Sequence, residues 1–181
     1  MTAIRKELPM AKATLFSCIV SFMLLLPGCG GGTGNAVPIT LNTAIVVSAN
    51  LAPGLTKTSL PIKGIDVTFE IPQTATPIIN SDNSLQIAET GLKDLNPNGN
   101  IPIGSYAPAT RTVHFILVAN DILNGDLGTG DVARLTCNIS PGAQLLAQDI
   151  HNLVFKVAGP GSADLTNEIV PSVRIVTYQK P

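Results

Sequence analysis

His114 and His151 are the only imidazoles in this 181-residue chain, and neither stands in a pattern that acid–base or metal chemistry requires. His114 lies in a run where Val113 and Phe115 are its apolar neighbours, so alternation places it on the opposite face of a strand. His151 follows Asp149 at a segment boundary and reads as a loop or capping residue. No G-x-S-x-G elbow, H-E-x-x-H pair or phosphate loop occurs. These absences predict a chain that is not an enzyme and needs no cofactor. Asp94, Asn96 and Asn98 place oxygen ligands at alternate positions, with Gly99 at the sixth, as a calcium loop does. Ser105 occupies the twelfth position, where a bidentate Glu belongs, and Pro97 interrupts the loop, so a turn-rich connection is the expected reading. Asp121, Asn124, Asp126 and Asp131 likewise read as short polar side chains at glycine turns.

The three cysteines have different fates. Arg5, Lys6 and Lys12 precede an uncharged run from Ala13 to Leu26, shorter than the ~20 residues of a spanning helix. Such a start is an export signal. Leu26-Pro27-Gly28-Cys29 resembles the bacterial lipobox. That resemblance implies cleavage before Cys29, acylation of its thiol, and a lipid anchor in the cell envelope. Pro27 departs from the usual Ala or Ser. Gly30, in place of Asp, resembles an outer-membrane address if the cell is Gram-negative. Gly30-Gly31-Gly32-Thr33-Gly34 would be a flexible tether. The expected organisation is a signal peptide at 1–28, a tether at 29–39 and one domain at 40–181. Cys18 leaves with the signal. Cys137 is left without a disulfide partner, in phase with apolar residues, and reads as a buried thiol.

Removing residues 1–28 takes three of the 11 basic and one of the 12 acidic residues, leaving 8 against 11, or −3. No basic patch remains to favour nucleic acid. The domain is rich in Ile, Val, Thr, Gly and Pro. In Gly64–Pro72, Ile65, Val67, Phe69 and Ile71 alternate with Asp66, Thr68 and Glu70, which describes a strand with one buried face. Strands are also predicted over 41–48, 84–88, 110–118, 131–139, 153–157 and 173–177, with helical turns within 143–149. In the strand at 110–118, Ile116 and Val118 are apolar on the second face as well. That strand is expected to be central or covered on both sides. The spacing of these strands between Pro, Gly and Asn turns predicts a β-sandwich or barrel.

Three passages resemble a cohesin domain, the receptor half of the cohesin–dockerin pair. They are Gly64–Pro72, the glycine-rich turn and strand at 124–136, and the closing turn and strand at 164–175. Cys137-Asn138-Ile139 departs where an aromatic often follows. The resemblance spans roughly 40–178 and implies an all-β jelly-roll sandwich of about nine strands that binds a protein partner, a dockerin-bearing one in the family's usual case. The partners then expected are the membrane, through the lipid, and a protein. One alternative is a carbohydrate-binding module. It would need stacking rings, and with no Trp in the chain only Tyr106 and Tyr178 are candidate platforms. A structural envelope lipoprotein without a discrete ligand is the other alternative.

Overall fold

Two antiparallel sheets stack face to face in the computed structural model, which describes residues 41–88, 90–95, 101–121 and 123–179. The proposed signal, Cys29 and the tether lie outside the described residues, as do Asn96 and Asn98. Nine strands run in the order β1 (Leu41–Leu51), β2 (Gly64–Glu70), β3 (Ala75–Pro77), β4 (Leu92–Asp94), β5 (Ile101–Ala107), β6 (Thr112–Val118), β7 (Gly130–Ile139), β8 (His151–Ala158) and β9 (Ile169–Gln179). One sheet has the order β3-β7-β1-β9, with β4 also paired to β7, and the other has the order β5-β6-β2-β8. Only β5 and β6 are both neighbours in sequence and partners in a sheet. Of the other connections, all but β3 to β4 cross from one sheet to the other, as in a jelly roll.

Alternation builds the core. Ile65, Val67 and Phe69 of β2 meet Val113, Phe115 and Leu117 of β6, all of them 0–1% exposed. Phe69 and Phe115 make an edge-to-face pair with centroids 6.3 Å apart, a favoured aromatic geometry. Ile45, Val47 and Ala49 of β1, with Ala133, Leu135 and Cys137 of β7, face them from the other sheet. Each large side chain buried in this way contributes about 1.5–3 kcal/mol of apolar transfer free energy.

Strand β7 carries a bulge. Val47 pairs with Ala133, but the next β1 residue, Ser48, pairs with Asp131, leaving Val132 as the extra residue. The bulge flips the phase, so Asp131 reaches the outer face and accepts the Ser48 hydroxyl at 2.6 Å. Between the sheets, Arg111 at the β5–β6 turn donates to the carbonyls of Ile71, Pro72 and Ala75. That side chain ties the turn to the β2–β3 connection.

Some elements differ from the sequence expectation. The stretch 84–88 is not a strand but a set of isolated bridges, Ser84 to Ser105, Leu85 to Ile79 and Ile87 to Leu92. Asp82 bends the chain there by accepting both the N–H and the hydroxyl of Ser84. The segment instead closes the outer edge of β5, through Leu85 N–H to Gly104 O and Tyr106 N–H to Asn83 O. Within 143–149 only the 3-10 turn Ala147–Asp149 is helical. Strands β3, β4 and β5 were not expected. Two are three residues long, and β5 contains Pro102 and Gly104, which read as breakers but are tolerated next to an edge.

Candidate functional site

The outer face of the four-stranded sheet is the candidate site, and its register orders its side chains in rows across β5, β6, β2 and β8. The first row holds Val118, Gly64 and Ala158. The second is Ile103, Ile116, Asp66 and Lys156, and the third is Ser105, His114, Thr68 and Val154. In the fourth, Ala107, Thr112 and Glu70 lead to His151 across an irregularity between Thr68 and Glu70. Ile103 is 62% exposed, Val154 50% and Val118 41%. β6 is therefore central, as one of the two expected readings had it, but nothing among the described residues covers its second face. Exposed aliphatic side chains gathered on one face mark a contact surface more often than singly scattered ones do.

Asp66, Glu70 and Lys156 are the charged side chains of these rows, and Asp66 is bonded within the face. His114 Nε2 lies 2.9 Å from Asp66 Oδ1, with both side chains about two-fifths exposed. Ser105 stands directly opposite His114 on β5, so a hydroxyl, an imidazole and a carboxylate share three adjacent strands. They lie on an open sheet whose β6 and β2 are paired along both edges. Sequence reading placed His114 on the sheet face, and that is where it lies. It missed Asp66 as the partner, although both residues occupy outward phases of strands that become neighbours. His151 is not in a loop or cap. It opens β8, where it is exposed.

A groove of about 660 Å³ crosses β2 and β8 at the Gly64 end of this face. Its floor includes Gly64 and Ala158, Ile116 and Val154 give it aliphatic walls, and Ser162–Asn167 form its rim. The rim is held against β8 by Leu165 N–H to Val157 O and by the Thr166 hydroxyl, which accepts from Val157 N–H. Its volume lies in the range of ligand sites.

The opposite outer face, on the other sheet, is closed by its own side chains. The Tyr178 hydroxyl and Thr136 Oγ1 are 2.5 Å apart, and the Arg134 guanidinium lies over the Tyr178 ring at 4.3 Å. Asp131 is bonded to Ser48 and paired with Arg174. The Ser48 hydroxyl first, and the Arg174 guanidinium after it, hold the Asp131 carboxyl below its usual range.

The two tyrosines therefore make no common stacking platform. Tyr106 lies on β5 with its ring turned into the core, 5% exposed, because 102, 104 and 106 take the inward phase of that strand. Tyr178 lies on the other sheet, with one ring face already taken by Arg134. Asp94, the calcium candidate within the described residues, ends β4 and pairs with Ala133. Asp121 accepts the N–H groups of Leu123 and Asn124, and Asp126 accepts those of Ile62 and Gly128. Lys63 Nζ donates to the carbonyls of Leu123 and Gly125. An ammonium and backbone amides thus satisfy the oxygens of this turn, while Asp131 stands apart on the other sheet. Among the described residues no three His, Cys, Asp or Glu side chains converge as a metal site.

The geometry defines an all-β sandwich with one open, partly apolar sheet face. Comparison with protein-family models, curated proteins and solved structures finds no match to the chain.

Proposed function

We propose that this chain is a non-enzymatic binding module, held at the cell envelope by a lipid on Cys29, that meets a protein partner on the outer face of the four-stranded sheet. The observation that carries this reading is the uncovered set Ile103, Val118 and Val154 beside half-buried Ile116, set against an opposite face roofed by Tyr178 and Arg134. A nine-stranded jelly roll is also the architecture that the cohesin resemblance implies, so a cohesin-like partner, dockerin-bearing or similar, is the first kind to look for. The tether would enter at Leu41, which pairs with Gln179 at one end of β1. The segment that rims the groove leads into Ile169, which pairs with Leu51 at the other end. Eleven residues of strand, roughly 35 Å, separate the two ends.

The test uses the full chain in detergent as bait against envelope extract. Ile103→Asp and Val118→Asp are expected to lose a partner that the wild type and Arg174→Ala retain. Equal capture by all four, or retention of polysaccharide alone, would overturn the proposal. Labelling with a clickable fatty acid, expected in the wild type and absent in Cys29→Ser, tests the anchor separately.

A further inference from the structure

Among the described residues, the sandwich guards every sheet edge but one. β3 and β4, at one edge of the five-stranded sheet, are three residues each. The edge of β5 is closed by the backbone of Asn83 and Leu85. At β8 the Val157 end is covered by Leu165 and Thr166, and the His151 end carries the irregularity opposite Thr68 and Glu70. Short strands, covering segments and bulges are the devices that keep an edge from pairing with another chain. β9 has none of them. It is 11 residues long and pairs with β1 in unbroken register.

The register fixes which backbone groups of β9 are unused. Ala52 N–H donates to Glu168 O at 2.8 Å, one step beyond the Leu51–Ile169 pair. Alternation along an antiparallel ladder then turns the even-numbered residues of β9 toward β1 and the odd-numbered ones toward the edge. Val173, Ile175 and Thr177 therefore present their N–H and C=O groups outward, and no described residue bonds them. Pro171, which has no N–H to offer, precedes this stretch. Val173 and Ile175 pack on the core but stay half-buried. Beside them a hollow of about 350 Å³ is lined in part by Leu145, Leu146, Ile175 and Thr177.

We infer that β9 pairs with β9 of a second copy of this chain, antiparallel about a two-fold axis through Ile175. Val173 of one chain then meets Thr177 of the other, and Ile175 meets its twin. All of these turn their backbone groups to the edge, so each pair exchanges both of its bonds. Arg174 falls opposite Val176 of the second copy. A pairing centred on Arg174 instead would set two guanidinium groups directly opposite one another, which is unfavourable across a strand pair. It would also match Thr177 with Pro171, which returns no N–H. In the pairing centred on Ile175, Val173 of the second copy stands opposite Thr177, beside the hollow. Each chain has one such edge, so the assembly closes at two copies. It uses a strand edge and not the open sheet face, and the two readings can fail independently.

Sedimentation of the full chain in density-matched detergent micelles is expected to show a concentration-dependent dimer. In the isotope-labelled chain, the amides of Val173, Ile175 and Thr177 should exchange about tenfold slower in the dimer than in dilute monomer. Thr177→Pro removes an N–H that the single chain leaves unbonded, a position where an edge strand tolerates proline. It should keep the wild-type melting temperature of the dilute monomer and lose the dimer. Val176→Arg places like charges opposite Arg174 at two symmetric points and should weaken the dimer about three- to tenfold, whereas Val176→Glu should tighten it by a similar factor. A monomer at every concentration, a dimer that folded Thr177→Pro retains, or equal dimerisation by Val176→Arg and Val176→Glu would overturn the inference. If Thr177→Pro does not fold, the two substitutions at Val176 decide.

Discussion

The Arg134 guanidinium carbon sits 4.3 Å from the centre of the Tyr178 ring, and the two side chains come from strands on opposite sides of β1. Tyr178 belongs to β9 and Arg134 to β7, so the stack spans the central strand of the sheet. The outward-phase residues of β1, Ala44 and Val46, are 0% and 2% exposed. A face that alternation alone would leave wet is closed by a long cationic stem, an aromatic ring and a hydroxyl bond to Thr136. Removing the hydroxyl with Tyr178→Phe leaves the buried Thr136 Oγ1 without this partner, which is expected to cost about 1–2 kcal/mol. Tyr178→Ala also uncovers β1 and removes the cation–π contact, for a loss of about 2–3 kcal/mol. Urea unfolding of both variants measures these losses. If Tyr178→Ala unfolds at the wild-type midpoint, the roof is not stabilising.

Acid should weaken the fold through carboxylates held below their usual range. Asp131 is held down first by the Ser48 hydroxyl and then by Arg174, and Glu168 by the hydroxyl and N–H of Ser59. Asp82, Asp121 and Asp164 are shifted the same way by local N–H and hydroxyl donors. A folded-state pKa below the unfolded one means that the unfolded chain binds protons first as pH falls. The stabilisation is therefore complete above about pH 5 and is lost through pH 4 and below. Melting temperature should be flat from pH 7 to about pH 5 and then decline. Asp131→Asn and Glu168→Gln should each be less stable than wild type at pH 7 and show a shallower decline. Wild-type slopes in both would remove these two groups from the account.

How legible all this was in the sequence depended on whether an element carries its own pattern. β2 alternates strictly over seven residues, and β6 does so from Thr112 to Phe115 before Ile116 and Val118 make its second face apolar too, so the inward residues of both were readable. β3 and β4 are three residues long, too short for a period, and exist because β7 offers them an edge. β5 hides its phase behind Pro102 and Gly104, which is why Tyr106 could be taken for a surface ring when it points inward. The bulge at Val132 reverses the expected phase of Asp131, and no local signal announces it. At the candidate site, His114 was legible as an outward residue. Its contact with Asp66, and the groove beside Gly64, depend on which strands become neighbours.

Cys137 should be chemically silent in the native fold. It is 4% exposed on the inward phase of β7, and burial pushes its thiol up to about 12. At pH 8 the thiolate fraction is then on the order of one in ten thousand. Iodoacetamide is expected to leave the peptide containing Cys137 unmodified in native buffer and to modify it fully in denaturant, read by mass mapping. Labelling in native buffer at the rate of a free thiol would show the site to be open. Cys137→Ser, which buries a hydroxyl among apolar neighbours, should cost about 1–3 kcal/mol.

Gly104 and Gly64 should respond in opposite ways to a single methyl group. At Gly104 the new carbon would lie 2.7 Å from Leu85 Cδ1, 2.9 Å from Phe115 Cβ and 3.0 Å from His114 O. The Leu85 methyl can swing away, but Phe115 Cβ and the carbonyl cannot move without the β5–β6 pairing moving too. Gly104→Ala is therefore expected to cost about 1–3 kcal/mol by overpacking. Gly64→Ala, with no contact closer than 3.8 Å, should be neutral or slightly stabilising. Leu85 is 1% exposed, and Leu85→Ala alone should cost about 2–5 kcal/mol by cavity formation. Because the methyl at 104 would fill part of that cavity, the double variant should lose less than the sum of the two single losses. Chemical unfolding of the four proteins measures the coupling directly. Strict additivity would mean that Gly104 is not kept bare to seat Leu85, and that the edge of β5 is closed by its backbone bonds alone.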